Sequence, residues 1–113
     1  MTETPPALPP KNGHADAVED MVARVGEATG LLKALAHDGR LLILCYLTAG
    51  ERTVGELEVL LGQRQATVSQ QLARLREEGL VTCRPEGKSR RYRIADPRAA
   101  RVVEVLYDMF CET

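Results

Sequence analysis

Three cysteines, Cys45, Cys83 and Cys111, carry the side chains of this sequence best suited to covalent chemistry. Cys45 sits in an otherwise aliphatic segment, ILCYLTAG, Cys83 in LVTCRP, and Cys111 in MFCET. An odd number of thiols argues against a structural disulfide framework. It leaves reactive thiols, metal ligands or plain packing by a small hydrophobe. A thiol-dependent enzyme would need a base or an oxyanion donor beside its nucleophile, and neither a histidine nor a glycine-rich nucleophile loop flanks Cys45 or Cys111. The chain is therefore expected not to be an enzyme.

A second chemistry lies in the charge pattern. Between Arg64 and Arg93, eight basic residues stand against three acidic ones, a local surplus of +5 in a chain whose formal net charge is −1. Such a block either faces solvent or presents one surface to a polyanion. The bulk composition bounds the rest. At 113 residues the chain is one small domain, and with one Phe, three Tyr and no Trp its core must be aliphatic. The run from Leu41 to Leu47 is far shorter than the roughly 20 residues a membrane span needs. The first residues, MTETPPALPPKNG, lack the basic start and apolar stretch of a secretory signal, so a cytoplasmic location with free thiols is expected.

Several elements must position these groups. Residues 1–13 hold four of the six prolines and read as a disordered tail, with the folded domain over 14–113. Val18, Met21, Val25, Ala28, Leu32 and Leu35 then recur at spacings of three and four, a heptad-like stripe on a first helix that Gly26 and Gly30 could split. Asp38 is the expected N-cap of a second helix over 39–49, with Leu41, Leu44, Cys45 and Thr48 on one face and Gly50 at its end. Thr53 and Glu56 spell a capping box for a short third helix stopping at Gly62. A fourth helix is expected from Gln65 to Glu78, burying Val68, Leu72 and Leu75 and ending at Gly79.

Two short helices joined by a tight turn form a helix-turn-helix. The outer face of the fourth carries Gln65, Thr67, Ser69, Gln70 and Arg74, side chains able to read base edges in the major groove. LVTCRP and SRRYRIA follow as two strands joined through Pro85, Glu86, Gly87 and Lys88. This hairpin holds Lys88, Arg90 and Arg91, and so reads as a wing that touches phosphate or the minor groove. A last helix from Pro97 to about Cys111 is apolar over more of its circumference than one small core can bury. Together with the first helix it predicts a homodimer, which would set two recognition helices over a pseudo-palindromic site in double-stranded DNA. The fold class expected is mainly α with a β-hairpin wing, a homodimeric winged helix-turn-helix.

LLKALAHDGRLLILCYL, TVGELEVLLG and ATVSQQLARLREEGLVTCRPEGKSRRYRI resemble the ArsR/SmtB family of winged-helix repressors over roughly residues 31–111. That resemblance implies a dimeric repressor whose operator affinity changes when a metal or a thiol-reactive signal binds. The family's metal branches fit poorly. Thr53 to Gly62 contains no cysteine for a Cys-x-Cys box, and His14 and His37 lie away from the last helix, where the zinc-type site would form. No metal or cofactor is therefore expected, and His37 reads as a helix-entry residue.

Cys45 on the second helix and Cys111 at the end of the last look like the dithiol branch, the persulfide sensors of the BigR/SqrR type and the related HlyU-type regulators. The resemblance thus implies a sensing pair, with reactive sulfur species as inducer and sulfide-detoxification genes as the regulated set. A metalloid- or peroxide-responsive regulator is the alternative, and Cys83 has no counterpart in the dithiol pattern. Gln71, where relatives often have His, and Arg64, where many have a Ser cap, depart from the family.

Overall fold

A computed structural model of the chain describes residues 14–111, so the expected tail lies outside the described residues. In chain order the elements are α1 (His14–Leu35), α2 (Asp38–Ala49), β1 (Arg52–Thr53), α3 (Val54–Leu61), α4 (Gln65–Glu77), β2 (Val81–Glu86), β3 (Ser89–Ile94) and α5 (Pro97–Phe110). Residues up to Gly30 and residues from Leu31 onward form two compact units. In the first, Val18, Met21, Val22 and Val25 are exposed along α1. The expected break at Gly26 or Gly30 does not occur. Neither glycine adopts a positive φ, and the roughly 1 kcal/mol that each costs a helix is outweighed by the good helix formers around it.

The second unit is the winged domain. Its entry differs from expectation in one detail: the N-cap of α2 is His37, and Asp38 is already helical. The imidazole Nδ1 accepts the Gly39 N–H at 3.1 Å and the Arg40 N–H at 3.4 Å, the work an Asp carboxylate would do one residue later. Arg40 in turn donates through Nε to the Ala34 carbonyl and through Nη2 to that of Lys33, satisfying carbonyls left open at the end of α1. The face that α2 buries is Ile43, Leu44 and Leu47, with Leu41 and Cys45 half-buried and Thr48 exposed. The expected stripe is thus turned partly outward, because α2 is flanked by four elements, α3, α4, β3 and α5, and buries Ile43 and Leu47 among them.

The helix-turn-helix forms as expected. The Thr53 hydroxyl accepts from the Glu56 N–H and the Glu56 carboxylate accepts from the Thr53 N–H, a complete capping box. Gly62 ends α3 at φ 66°, a left-handed position that favours glycine. Val68, Leu72 and Leu75 of α4 are fully buried against Leu57, Ile43 and Leu44, and Gly79 at φ 76° turns the chain toward the hairpin.

The hairpin's turn is tighter than the sequence implied, and the hairpin is not alone. Pairing continues through Pro85 opposite Arg90 and Glu86 opposite Ser89, which leaves a two-residue turn at Gly87 and Lys88. Pro85 is tolerated because β2 is an edge strand in the order β1-β3-β2, where a missing N–H costs no ladder bond. The third strand, β1, was not foreseen. Its two residues pair antiparallel with β3, Arg52 opposite Tyr92 and Thr53 opposite Arg91. Val81 and Tyr92 turn inward to the core, and the Leu80 carbonyl takes N–H groups from Ala95 and Asp96 to close the hairpin's base. Asp96 then caps α5 by accepting from the Arg98 N–H, with Pro97 in the first turn. Only Ala99 and Val103 of α5 are fully buried, while Val105, Met109 and Phe110 are exposed, Phe110 to 77%.

Candidate nucleic-acid interface and thiol site

Burying Val68, Leu72 and Leu75 fixes the rotation of α4, and the opposite face necessarily points away from the core. Thr67, Ser69, Gln70 and Arg74 are turned away from that stripe and exposed, and Gln65, on the side of Val68, is exposed because it opens the helix. Arg74 makes a loose ion pair with Glu78 one turn on, at 3.5 Å. The wing meets α4 through Tyr92, which lines a shallow cleft with Ala73, Arg76 and Glu77. Lys88 and Arg90 are exposed at and beside the wing turn.

Arg91 is placed differently from its neighbours. Its side chain is 22% exposed, and the guanidinium donates from Nε and Nη2 to both oxygens of Glu86, each at 2.7 Å. Nη1 reaches the Glu51 carbonyl at 3.3 Å and approaches the Glu56 carboxylate at 3.6 Å. The hydrogen bonds from Arg91 hold the Glu86 carboxyl below its ordinary value, and the same contact raises Arg91. With the Arg84–Glu51 ion pair, this network braces the wing against β1 and the start of α3. Sequence reasoning missed the network because its acidic members, Glu51 and Glu56, lie some 30 to 40 residues upstream of their arginines.

It also missed that Gln71 is buried. This residue of α4 is 8% exposed, faces Gly39 in the first turn of α2, and leaves its Oε1 without a hydrogen-bond partner. The signal was present in its position, three residues after Val68 on the buried stripe, but its polar side chain argued the other way.

Cys45 and Tyr107, one turn before Cys111, meet where α2 packs against α5. Helix α2 packs against α5, and Tyr107 of α5 directs its hydroxyl onto the Cys45 carbonyl at 3.4 Å. The Thr48 hydroxyl donates to the same carbonyl at 2.7 Å. One turn beyond Tyr107, Cys111 forms the C-cap of α5, its N–H donating to the Tyr107 carbonyl at 2.8 Å. Cys45 is half-buried and Cys111 exposed. The Tyr107 phenol is pushed up, first by its hydrogen bond with the Cys45 side chain and then by burial; the Thr48 hydroxyl opposes this, and the charges of Cys45 and Cys111 add to it.

Cys83 belongs to a separate cluster. It pairs across the hairpin with Tyr92, and Arg90 directs Nη1 at its sulfur from 3.5 Å. Burial first, and then Cys83, raise the Tyr92 phenol. Among the described residues, no three His, Cys, Asp or Glu side chains converge as a metal-holding group.

Comparison with known proteins agrees with this geometry. Residues 37–82 match the family described as bacterial regulatory protein, arsR family. The biofilm growth-associated repressor of Agrobacterium fabrum is 48% identical over 98% of this chain and 94% of its own length. The crystal structure of the transcriptional repressor BigR from Xylella fastidiosa is 46% identical and superposes with a TM-score of 0.80 over 85% of this chain and 98% of that one. The homodimeric winged helix-turn-helix DNA-binding domain Mb0332 from Mycobacterium bovis is 35% identical, with a TM-score of 0.70 over 78% of this chain and 82% of that one.

Proposed function

The chain belongs to the arsR family of bacterial regulatory proteins, and from that premise we propose a DNA-binding transcriptional repressor that dimerises and lets go of its operator when reactive sulfur species modify Cys45 and Cys111. The observation that supports the sensing half is the α2–α5 contact, where the Tyr107 hydroxyl meets the Cys45 carbonyl one turn before Cys111. The DNA half rests on the exposed face Gln65, Thr67, Ser69, Gln70 and Arg74 beside a wing bearing Lys88, Arg90 and Arg91.

Dimerisation is supported by what α5 leaves uncovered. Val105, Met109 and Phe110 are exposed, and Leu31, Val102 and Val105 line an apolar groove with the stems of Arg98 and Arg101. On α1, Val18, Met21, Val22 and Val25 form a further exposed apolar stripe. Surfaces of this kind are ordinarily covered by a partner, and two-fold pairing sets the spacing of two recognition helices.

In the proposed cycle the reduced dimer occupies a pseudo-palindromic operator and blocks transcription of sulfide-detoxification genes. A low-molecular-weight persulfide RS–SH gives up its outer sulfur to a cysteine thiolate: the new bond is Cys–S–SH, the donor's S–S bond breaks, and RS⁻ leaves to become RSH. With both cysteines persulfidated, the terminal sulfur of one attacks the Sγ of the other. HS⁻ then departs, leaving a three-sulfur bridge from Cys45 to Cys111. Two donor persulfides supply the oxidising equivalents and end as two RSH and one H₂S. Linking α2 to α5 changes the surface on which the dimer is built, and a coupling of about 1–3 kcal/mol would shift operator affinity by about 5- to 150-fold.

The test begins with a duplex selected by the reduced protein from a random-sequence pool. Anisotropy binding to that duplex is measured before and after treatment with glutathione persulfide, hydrogen peroxide or arsenite, with intact-mass analysis of each sample. Release with persulfide, accompanied by a Cys45–Cys111 sulfur bridge, is expected. Release with arsenite alone would transfer the assignment to a metalloid sensor.

A further inference from the structure

We propose that Arg76 is a further DNA contact of this chain, and that the cleft it lines between α4 and the wing is a subsite for one backbone phosphate. The inference rests on the DNA half of the reading above and is independent of the thiols. It adds a residue that the sequence pattern, which stopped at Arg74, did not mark.

Helical spacing puts Ser69, Ala73 and Arg76 at i, i+4 and i+7, in one row along α4. Ser69 is exposed beside the other reading residues, and the same row continues into a cleft of about 400 Å³ that Ala73, Arg76 and Glu77 line together with Tyr92 of β3. The cleft therefore opens between the recognition helix and the wing, the two elements assigned to DNA. Tyr92 forms its buried wall, and Ala73, in the middle of the row, adds no more than a methyl group.

The charges at the cleft favour an anion. Arg76 is exposed, and among the described residues no hydrogen bond or ion pair engages its guanidinium. Arg74, Arg84 and Arg91 differ from it, being paired with Glu78, Glu51 and Glu86. A second guanidinium stands nearby on Arg90, which directs Nη1 at the sulfur of Cys83, the residue opposite Tyr92 in the hairpin. The positive charges of Arg76 and Arg90 both reach the Tyr92 phenol and work against the burial and the Cys83 contacts that raise it. Glu77, the one acid among the lining residues, opposes the two cations and is outnumbered. Arg76 has no salt bridge to break when a phosphate arrives, and its planar fork matches two phosphate oxygens. Such a contact carries no sequence information; it fixes how α4 sits while Ser69 and Gln70 read bases.

The experiment measures anisotropy binding of the reduced full chain and its variants Arg76→Ala, Arg76→Lys and Ala73→Leu across a range of salt concentrations. Two duplexes are used, the one selected from the random pool and a scrambled version of it. Arg76→Ala should weaken both by the same factor, about fivefold at about 0.15 M salt for each protomer bound, and flatten log K against log salt by about 0.9 per protomer, the share of one phosphate. Arg76→Lys keeps the charge and should keep the slope. Ala73→Leu fills the cleft with the guanidinium in place; it should reproduce the loss and add less than about twofold to Arg76→Ala when the two are combined. Where the Leu variant has a lowered urea midpoint, the two Arg76 variants carry the test alone. An Arg76→Ala chain with the parent's affinity and slope overturns the phosphate subsite. So does a loss confined to the selected duplex at unchanged slope, which would make Arg76 a reader of bases, and so do fully additive losses, which would put the phosphate outside the cleft. A parent chain that binds neither duplex overturns the DNA-binding reading itself.

Discussion

The side-chain amide of Gln71 lies directly on Gly39, so close that a methyl group at position 39 would stand 2.2 Å from its Nε2 and 2.7 Å from its Oε1. This contact joins the recognition helix α4 to the first turn of α2, the helix that carries Cys45. Gly39→Ala sets two effects against each other: about 1 kcal/mol of improved helix propensity and about 1–3 kcal/mol of overpacking against a buried amide. Overpacking is expected to win, with a lower urea midpoint at fixed protein concentration. Adding Gln71→Ala to the same chain should recover part of the loss, and Gln71→Met alone, which removes the unpartnered Oε1 at similar length, should be neutral or stabilising. Additive effects in this double-mutant cycle would show that the two residues do not press on each other.

Among the described residues, His37 is the only side chain that satisfies the Gly39 and Arg40 N–H groups at the start of α2. His37→Ala should destabilise the domain by about 1 kcal/mol, and His37→Asn should restore most of it, since an amide oxygen at the N-cap accepts the same bonds. Thermal unfolding at one chain concentration measures both. An Ala variant as stable as the parent would mean that water caps this helix as well as imidazole does.

The elements marked by local chemistry were legible in the sequence. Thr53 and Glu56 announced α3, Gly62 and Gly79 marked the ends of α3 and α4, and Pro97 placed the start of α5. The alternation in LVTCRP and SRRYRIA gave the hairpin. What stayed hidden was set by partners distant in the chain. Strand β1 has two residues and no period; it is a strand only because β3, forty residues on, pairs with it. Arg91 read as one more wing cation until the fold brought Glu51, Glu56 and Glu86 around it. Tyr107 read as part of an apolar arc, and its place beside two thiols depends on how α2 and α5 pack.

Asp96 and Glu86 predict how the domain responds to acid. Hydrogen bonds from Arg98 hold the Asp96 carboxyl below its ordinary 3.8, and Arg91 holds Glu86 below its ordinary 4.5. A carboxyl lowered on folding contributes stability that is complete above its unfolded value and disappears as pH falls through the folded one. Stability is therefore expected to be flat above about pH 5 and to decline below the two ordinary values. Asp96→Asn keeps an acceptor for the Arg98 N–H but removes the titration, so its stability should fall less steeply over the same acid range. Urea midpoints at several pH values compare the two chains; parallel curves would assign the acid response to other carboxylates.

Glu86 occupies Arg91 much as a phosphate would, with two parallel hydrogen bonds of 2.7 Å on the outer face of the wing. A solvent-screened pair of this kind contributes little to stability, so a DNA phosphate within reach can displace the carboxylate. Glu86→Gln should then tighten binding to any duplex by up to about fivefold and steepen the dependence of log K on log salt by up to about one unit. Lys88→Ala and Arg90→Ala, at exposed wing positions, should each flatten it by about one unit. Arg91→Ala should abolish the gain seen with Glu86→Gln when the two changes are combined. If Glu86→Gln binds no tighter and its salt slope is unchanged, Arg91 stays on its carboxylates in the complex; it then braces the wing on β1, and Arg91→Ala should lower the unfolding midpoint rather than the salt slope.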